Sequence, residues 1–432
     1  MQKRRLLLIT SGVFGIIMLL FLGMFIWVNK TKIGQKVKKE NAVIELELWY
    51  PWSKENEIYQ KAIQEAIEEF HEEQNYIRIC SEGVDTEVYR EKLPSAVAMD
   101  ETPDMYFCYT STYLQNIVQT GKVLSMNNYL PPDVKEQLQK GAFETVTFQN
   151  QIYGLPFAED MGVFLVNTEL FDKYELQIPE TWEELLAVCK VFIEKGMTPL
   201  ACATDMDTGY RMYLEILCLS ESGKETCKRI ISRKEMPDRA FSNGVYKFCK
   251  LLEIGAFGER DIQKSTFDIE DEFMMSRIPM YFTKNHMLGN IMQKNNPLYG
   301  KIKLVSFPES HGKVLGGVSE AFVVDSSTQY PQEAVYALGR ILQKFSIKLY
   351  EKGAALPVWD TSNAKVPEEE LYRSLISELQ HVQEKMLYWE FLLDAHMAVR
   401  FMEESEKLFL GKIDEDNFLG AFLENGELFL LK

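Results

Sequence analysis

Ile44, Leu46, Leu48 and Tyr50 alternate with Glu45 and Glu47, and Pro51-Trp52-Ser53 breaks the pattern, so Val43 to Tyr50 reads as a strand. Ile58, Ala62, Ala66 and Phe70 then recur at the helical period, and Tyr76 to Cys80 is the next extended run. Together they predict a β-α-β unit of an α/β sheet. Pro103 to Cys108 starts another strand, and the helix after it stops at Gly121.

The stretch from Tyr153 to Leu200 carries the most local information. Val163 to Val166 is β-branched and aromatic, and Asn167, Pro179 and Thr181 punctuate the residues after it, so a strand gives way to helical turns. Thr181 with Glu184 three residues on forms a capping box, in which each side chain accepts from a backbone N–H left unpaired by the first helical turn. Trp182, Leu185, Leu186, Cys189, Phe192 and Ile193 make the apolar stripe of that helix, and Gly196 ends it. Further on, a helix opens near Thr208 with Tyr213, Ile216 and Leu217 on one side. Pro331 to Phe345 reads as a helix, and Glu368 to Leu410 as helical throughout.

Length and charge narrow the function classes. The 432 residues are 46% hydrophobic and 26% charged, enough apolar material for two lobes. Residues 1–42 hold eight Lys or Arg against Glu40 alone, a charge of +7, which leaves −24 on the remainder of a chain whose net charge is −17. Such a body repels phosphate backbones, so no nucleic-acid partner is expected. The seven cysteines show no paired spacing and the five histidines are scattered, so neither a metal site nor a cofactor is indicated. A Cys218–Cys227 disulfide stays open. Asp205 and Asp207 lack the third acid and distal Glu of a calcium loop, and capping is the expected role.

Lys3, Arg4 and Arg5 precede Leu6 to Val28, 23 residues without a charge, more than the roughly 20 that cross a bilayer as a helix. No small-residue cleavage site is evident before the Trp27-Val28-Asn29-Lys30 exit, so residues 1–28 are expected to be cytoplasmic basic residues and an uncleaved transmembrane anchor, with residues 29–42 a basic tether. The lysines after the span outnumber the basic residues before it, and charge alone does not orient the segment.

The order Tyr153-Gly-Leu-Pro, extended run to Asn167, Leu170-Phe171, Pro179-x-Thr181-Trp182-x-Glu184-Leu185-Leu186 and Gly196-x-Thr198-Pro199-Leu200 resembles the extracellular solute-binding proteins of bacterial ABC importers, in their sugar-binding branch. Gly121-Lys-Val-Leu124 resembles the family's Gly-x-Leu exit, Gly316-Gly-Val-Ser-Glu-Ala-Phe-Val-Val324 resembles its Gly-Gly return strand, which implies one strand there, and the likeness runs over most of residues 43–360. It implies a two-lobed α/β fold with a hinge, lobe one from residues 43–155 and 308–352, lobe two from 156–307 and 353–432, with crossings near Pro156 and Pro308. It also implies a body outside the cell, a small-molecule solute, an importer permease as partner, and no catalysis. Two departures stand out: the chain lacks the cysteine that ends the signal peptide of most relatives, and Lys284 and His286 stand where the family brings a glycine and a tryptophan into the cleft.

Candidate ligand contacts are suggested by residue type and position. Trp49, Tyr50 and Trp52 cluster at the end of the first strand, where open α/β sheets bind ligands, and such rings offer flat faces to sugar C–H groups. Tyr109, Tyr210 and Trp359 come after strands or sit in loops, the carboxylates Asp85, Asp104, Glu159, Asp160 and Glu320 suit sugar hydroxyls, and His286 adds a donor and an acceptor. Two other readings use the same residues: a membrane-tethered sensor that signals to a partner, and an extracellular glycan hydrolase, which needs two carboxylates about 5 to 9.5 Å apart.

Overall fold

The computed structural model describes residues 43–54, 57–139, 141–204, 209–232, 236–259 and 264–421. The apolar Leu6 to Val28 segment, the basic tether and the Asp205/Asp207 loop lie outside the described residues. Among the described residues no helix is long and apolar enough to cross a membrane.

Two sheets organise the chain. In sequence order the strands are β1 (Ile44–Tyr50), β2 (Ile77–Gly83), β3 (Met105–Tyr109), the hairpin pair β4 (Thr147–Phe148) and β5 (Gln151–Ile152), β6 (Leu155–Pro156), β7 (Ala158–Asn167), β8 (Leu200–Ala201), β9 (Met280–Lys284), β10 (Ile302–Val305), β11 (Lys313–Gly317), β12 (Glu320–Val324), β13 (Leu356–Pro357) and β14 (Glu384–Met386). The first sheet runs β2-β1-β3-β12-β6, and the second runs β14-β11-β7-β9-β8 with β10 and β13 also on β7. β1 pairs in parallel with β2 and β3 across the expected β-α-β unit, whereas β12 returns antiparallel to β3. Helices cover these sheets, the α/β architecture expected when buried strands need apolar partners on their faces.

Alternation along β7 shows how one strand serves two layers. Phe164 and Val166 enter a core with Trp182, Phe192, Tyr213 and Trp389, while Val163 and Leu165 enter another with Tyr281, Leu288 and Tyr372. The first sheet has its own core, centred on Trp52, Phe107, Phe157, Phe322 and Phe345. Helix Trp182–Glu194 carries the expected capping box, with Thr181 accepting from the N–H of Glu184 at 3.3 Å and Glu184 accepting from that of Thr181 at 3.1 Å. Replacing Thr181 by Ala is expected to cost about 1 kcal/mol, read as a lower thermal midpoint; an unchanged midpoint would show the cap to be redundant.

Some expectations need correction. Gly316 to Val324 is two strands, β11 on the second sheet and β12 on the first, because the chain passes between sheets at Val318-Ser319. The chain end is not helical throughout: after helix Glu370–His381 the short β14 pairs in parallel with β11, and helices Trp389–Leu392 and Ala395–Phe409 come next. There, helical spacing of apolar residues coexists with an open strand edge that captures Glu384–Met386. The helix from Pro331 runs to Glu351, past Phe345, because Leu349 extends its buried stripe. Cys218 and Cys227 are free thiols, so the open disulfide is absent.

Candidate functional site

A cavity of about 630 Å3 opens between the two sheets, within the size range of small-molecule sites. On the side of the first sheet it is lined by Trp52, Lys54, Glu57 and Tyr59 after β1, by Asp85 after β2, by Tyr109 at the end of β3 and by Glu320 at the start of β12. From the second sheet come Asp160 on β7, Lys284 and His286 at the end of β9, and Phe267 and Glu270 on helix Thr266–Met274. Parallel strands β1 and β3 place their carboxyl ends here, as in other α/β crevices.

Six of the twelve sequence candidates meet in this cavity: Trp52, Asp85, Tyr109, Asp160, His286 and Glu320. Trp52 is only 7% exposed, since its indole packs on Tyr59, Phe107 and Phe345 with ring centroids 5.2, 5.5 and 5.4 Å away. The other six lie elsewhere. Tyr50 is buried in the first core, and Trp49 points to the opposite face under Lys92, whose Nζ is 3.5 Å from the ring. Asp104 accepts from the N–H of Glu47 at 3.0 Å and the hydroxyl of Thr328 at 2.6 Å. Glu159 pairs with Lys385 in a separate cavity of about 460 Å3, since neighbours on a strand face opposite ways. Tyr210 stacks on Phe409 at 4.3 Å, and Trp359 is buried with its Nε1 donating to the carbonyl of Pro156 at 2.8 Å.

The cavity is built around a buried ion pair. Asp160 is 8% exposed and Lys284 6%; Nζ lies 3.8 Å from the carboxylate, and Ser319 Oγ donates to Asp160 at 2.5 Å. Strand register brings the pair together, since Gly162 of β7 stands opposite Lys284 of β9. Gly316 permits the approach of β11 to β7: its φ is 150°, and a Cβ there would stand 2.3 Å from the carbonyl oxygen of Asp160. Burial alone would lower Lys284, but Asp160, Tyr388, Glu320 and Glu390 reverse this and hold the ammonium above its ordinary value. His286 occupies the N-cap position of helix Met287–Ile291 without capping it, and its Nε2 is 3.7 Å from Glu270. Burial pulls His286 down, and the hydrogen bond and charge of Glu270 more than restore it.

Two further carboxylates are perturbed. Burial, reinforced by Asp160, pushes Glu320 up to about 7 against Lys284, His286 and Arg90. Burial likewise lifts Glu57 to about 7 against Lys54 and His286. The folded protein therefore holds these protons more tightly than the unfolded chain between the ordinary value of 4.5 and about 7, and stability falls as pH rises through that window. Raised His286 acts in the same direction. The thermal midpoint of the parent is expected to fall from pH 5 to 7.5, and that fall should shrink in Glu57→Gln/Glu320→Gln. Equal slopes would show that neither carboxyl titrates in this range.

Lys54, Glu57, Tyr59, Phe267, Glu270 and Lys284 are among the lining residues beyond the candidate contacts. Only Lys284 carried a sequence signal, as the departure from the family glycine. Lys54 and Phe267 meet across the mouth, Nζ lying 3.3 Å from the ring centroid. Among the described residues no group of three or more His, Cys, Asp or Glu is arranged to hold a metal ion.

The fold is a two-lobed α/β architecture with a cleft between its sheets, and known proteins share it. The sequence profile described as bacterial extracellular solute-binding protein matches residues 54–216. An uncharacterised ABC transporter extracellular-binding protein of Pyrococcus horikoshii is 22% identical over 303 residues, 69% of this chain and 68% of that one. A structure from work on xylan utilisation by Caldanaerobius polysaccharolyticus superposes with a TM-score of 0.82 at 25% identity, covering 88% of this chain and 100% of the other. An ABC transporter solute-binding protein of Thermotoga lettingae bound to α-D-tagatose gives 0.72 at 17% identity, covering 89% and 98%. Over part of its sequence and in its fold the chain is thus similar to the bacterial extracellular solute-binding proteins of ABC importers.

Proposed function

We propose that this protein captures a carbohydrate in the cavity between its sheets and delivers it to an ABC importer permease, from a body held outside the cell by a single-pass anchor at Leu6 to Val28. The observation that carries the reading is the convergence of Trp52, Asp85, Tyr109, Asp160, His286 and Glu320, from both sheets, on one cavity of about 630 Å3. Aromatic faces beside hydrogen-bonding carboxylates suit a ring with apolar C–H faces and hydroxyl edges. The tagatose of the Thermotoga neighbour and the xylan context of the Caldanaerobius one support the same ligand class.

The lobes are taken as residues 43–155 with 308–352 and 156–307 with 353–432, with two adjustments. Because β11 pairs with β7, the return crossing moves from Pro308 to Val318-Ser319. Because Ala354, Val358 and Trp359 pack in the first core, the last crossing moves beyond Trp359. A ligand touching both lobes favours the closed arrangement.

The test is a thermal-shift screen of mono- and oligosaccharides with scattering on any hit. A ligand at 100 times its dissociation constant stabilises by about 2.7 kcal/mol, and the radius of gyration should contract. Stabilisation by amino acids or peptides but by no sugar would overturn the carbohydrate reading. Recovery of the intact chain in the membrane fraction, with Lys432 protected from cytoplasmic labelling, supports the anchor; a product starting after residue 28 removes it.

A further inference from the structure

The charges around the cavity do not balance. Its lining holds the carboxylates Glu57, Asp85, Glu87, Asp160, Glu270 and Glu320 against Lys54, Lys284 and His286. Each of these cations already has a partner: Lys284 faces Asp160 at 3.8 Å, His286 faces Glu270 at 3.7 Å, and Lys54 sits on Phe267 at 3.3 Å. Asp85 is turned to the helix it caps, accepting from the N–H of Glu87 at 3.1 Å. Glu87 is exposed to solvent, which leaves Glu57 and Glu320. Both are half-buried, they come from different elements, and among the described residues neither forms an ion pair within 4.0 Å.

We infer that the ligand is a hydroxylated cation, a small sugar-like molecule whose protonated amine sits between Glu57 and Glu320. This deepens the carbohydrate reading and rests on it. Half-buried carboxylates with no ion pair in contact are costly, and an ammonium supplies two charge-assisted hydrogen bonds where a neutral hydroxyl supplies weaker ones. The rings add to the preference. Phe267, 56% exposed, already carries one ammonium on its face, and Tyr59 and Tyr109 present further rings to the cavity. Burial first, and then the charges of Asp160, Glu320 and Glu57, hold the hydroxyl of Tyr59 above its ordinary value.

Titration sets the sign of the expected effect. Glu320 faces Asp160, Lys284, His286 and Arg90, and Glu57 faces Lys54, His286 and Asp85. As pH rises through about 7 both carboxyls lose their protons, so an amine that is still protonated binds more tightly, while a neutral sugar gains less from the change.

The experiment is calorimetry on the full chain in detergent with a panel of mono- to trisaccharide glycosides, each in paired forms that end in a primary amine or a hydroxyl, plus spermidine. For at least one sugar the amine form should bind at least tenfold more tightly at pH 8 than its hydroxyl twin. That gap should narrow at pH 6, and it should close in Glu320→Gln and in Glu57→Gln/Glu320→Gln, whose unliganded thermal midpoints confirm folding. Hydroxyl twins that bind as well as the amines, or a gap that survives both variants, overturn the cation while leaving the carbohydrate reading in place. Spermidine binding with no sugar in either form keeps the cation and overturns the carbohydrate. Absence of binding by every probe overturns both.

Discussion

Asp160→Ala should destabilise the protein by about 3–5 kcal/mol, because it leaves the Lys284 ammonium buried without its counter-charge. The ring of Tyr388, 4.9 Å from Nζ, does not replace a carboxylate. Removing both charges in Asp160→Ala/Lys284→Met should recover most of the loss, since well-packed apolar groups often match a buried ion pair. Denaturant midpoints of parent, single and double variants read the cycle. A single variant within about 1 kcal/mol of the parent would show that water reaches Lys284. Ligand affinity should fall in both variants, because the carboxylate itself faces the cavity.

Trp359→Ala should cost about 3–5 kcal/mol, the range for emptying a large aromatic site in a core. Its indole is fully buried, and its N–H satisfies the carbonyl of Pro156 where the chain leaves the first sheet for the second. Trp359→Phe separates the two contributions: it keeps most of the apolar volume and strands the carbonyl, for about 1–3 kcal/mol. Equal losses in both variants would assign the effect to the hydrogen bond. A loss below about 1 kcal/mol in Trp359→Ala would mean that the core collapses to fill the space.

Neither the Asp160–Lys284 pair nor the Trp359 contact has a local signature, whereas other features do. The capping box at Thr181 and Glu184 was legible because its partners sit three residues apart, and β1 was legible because burial of one face writes itself as alternation. The same alternation, carried to its end, places Tyr50 with Leu46 and Leu48 on the buried face, away from the cavity. Reading the aromatics at the end of β1 as one cluster merged two faces of a strand. Tyr210 stacks on Phe409 and Trp359 bonds to the Pro156 carbonyl, partners about two hundred residues away in the chain. Lys284 drew notice as a departure, yet its meaning depends on the register of β7 with β9, which no single segment encodes. Glu57 precedes a helix like many other acids, and its place in the cavity lining depends on the fold around it.

All seven cysteines are free thiols, and they are unevenly shared: Cys80 and Cys108 belong to strands of the first sheet, whereas Cys189, Cys202, Cys218, Cys227 and Cys249 pack with the second. Burial pushes Cys189, Cys227 and Cys249 up to about 12 and Cys108 and Cys218 higher still, so these sulfurs are inert while their surroundings hold. Cys80 alone is exposed. An alkylating pulse therefore counts open lobes: one adduct marks the native molecule, a second marks opening of the first core at Cys108, and a jump of five marks opening of the second. The mass spectrum of a partly denatured sample thus tells which half of the receptor yields first, without any engineered label.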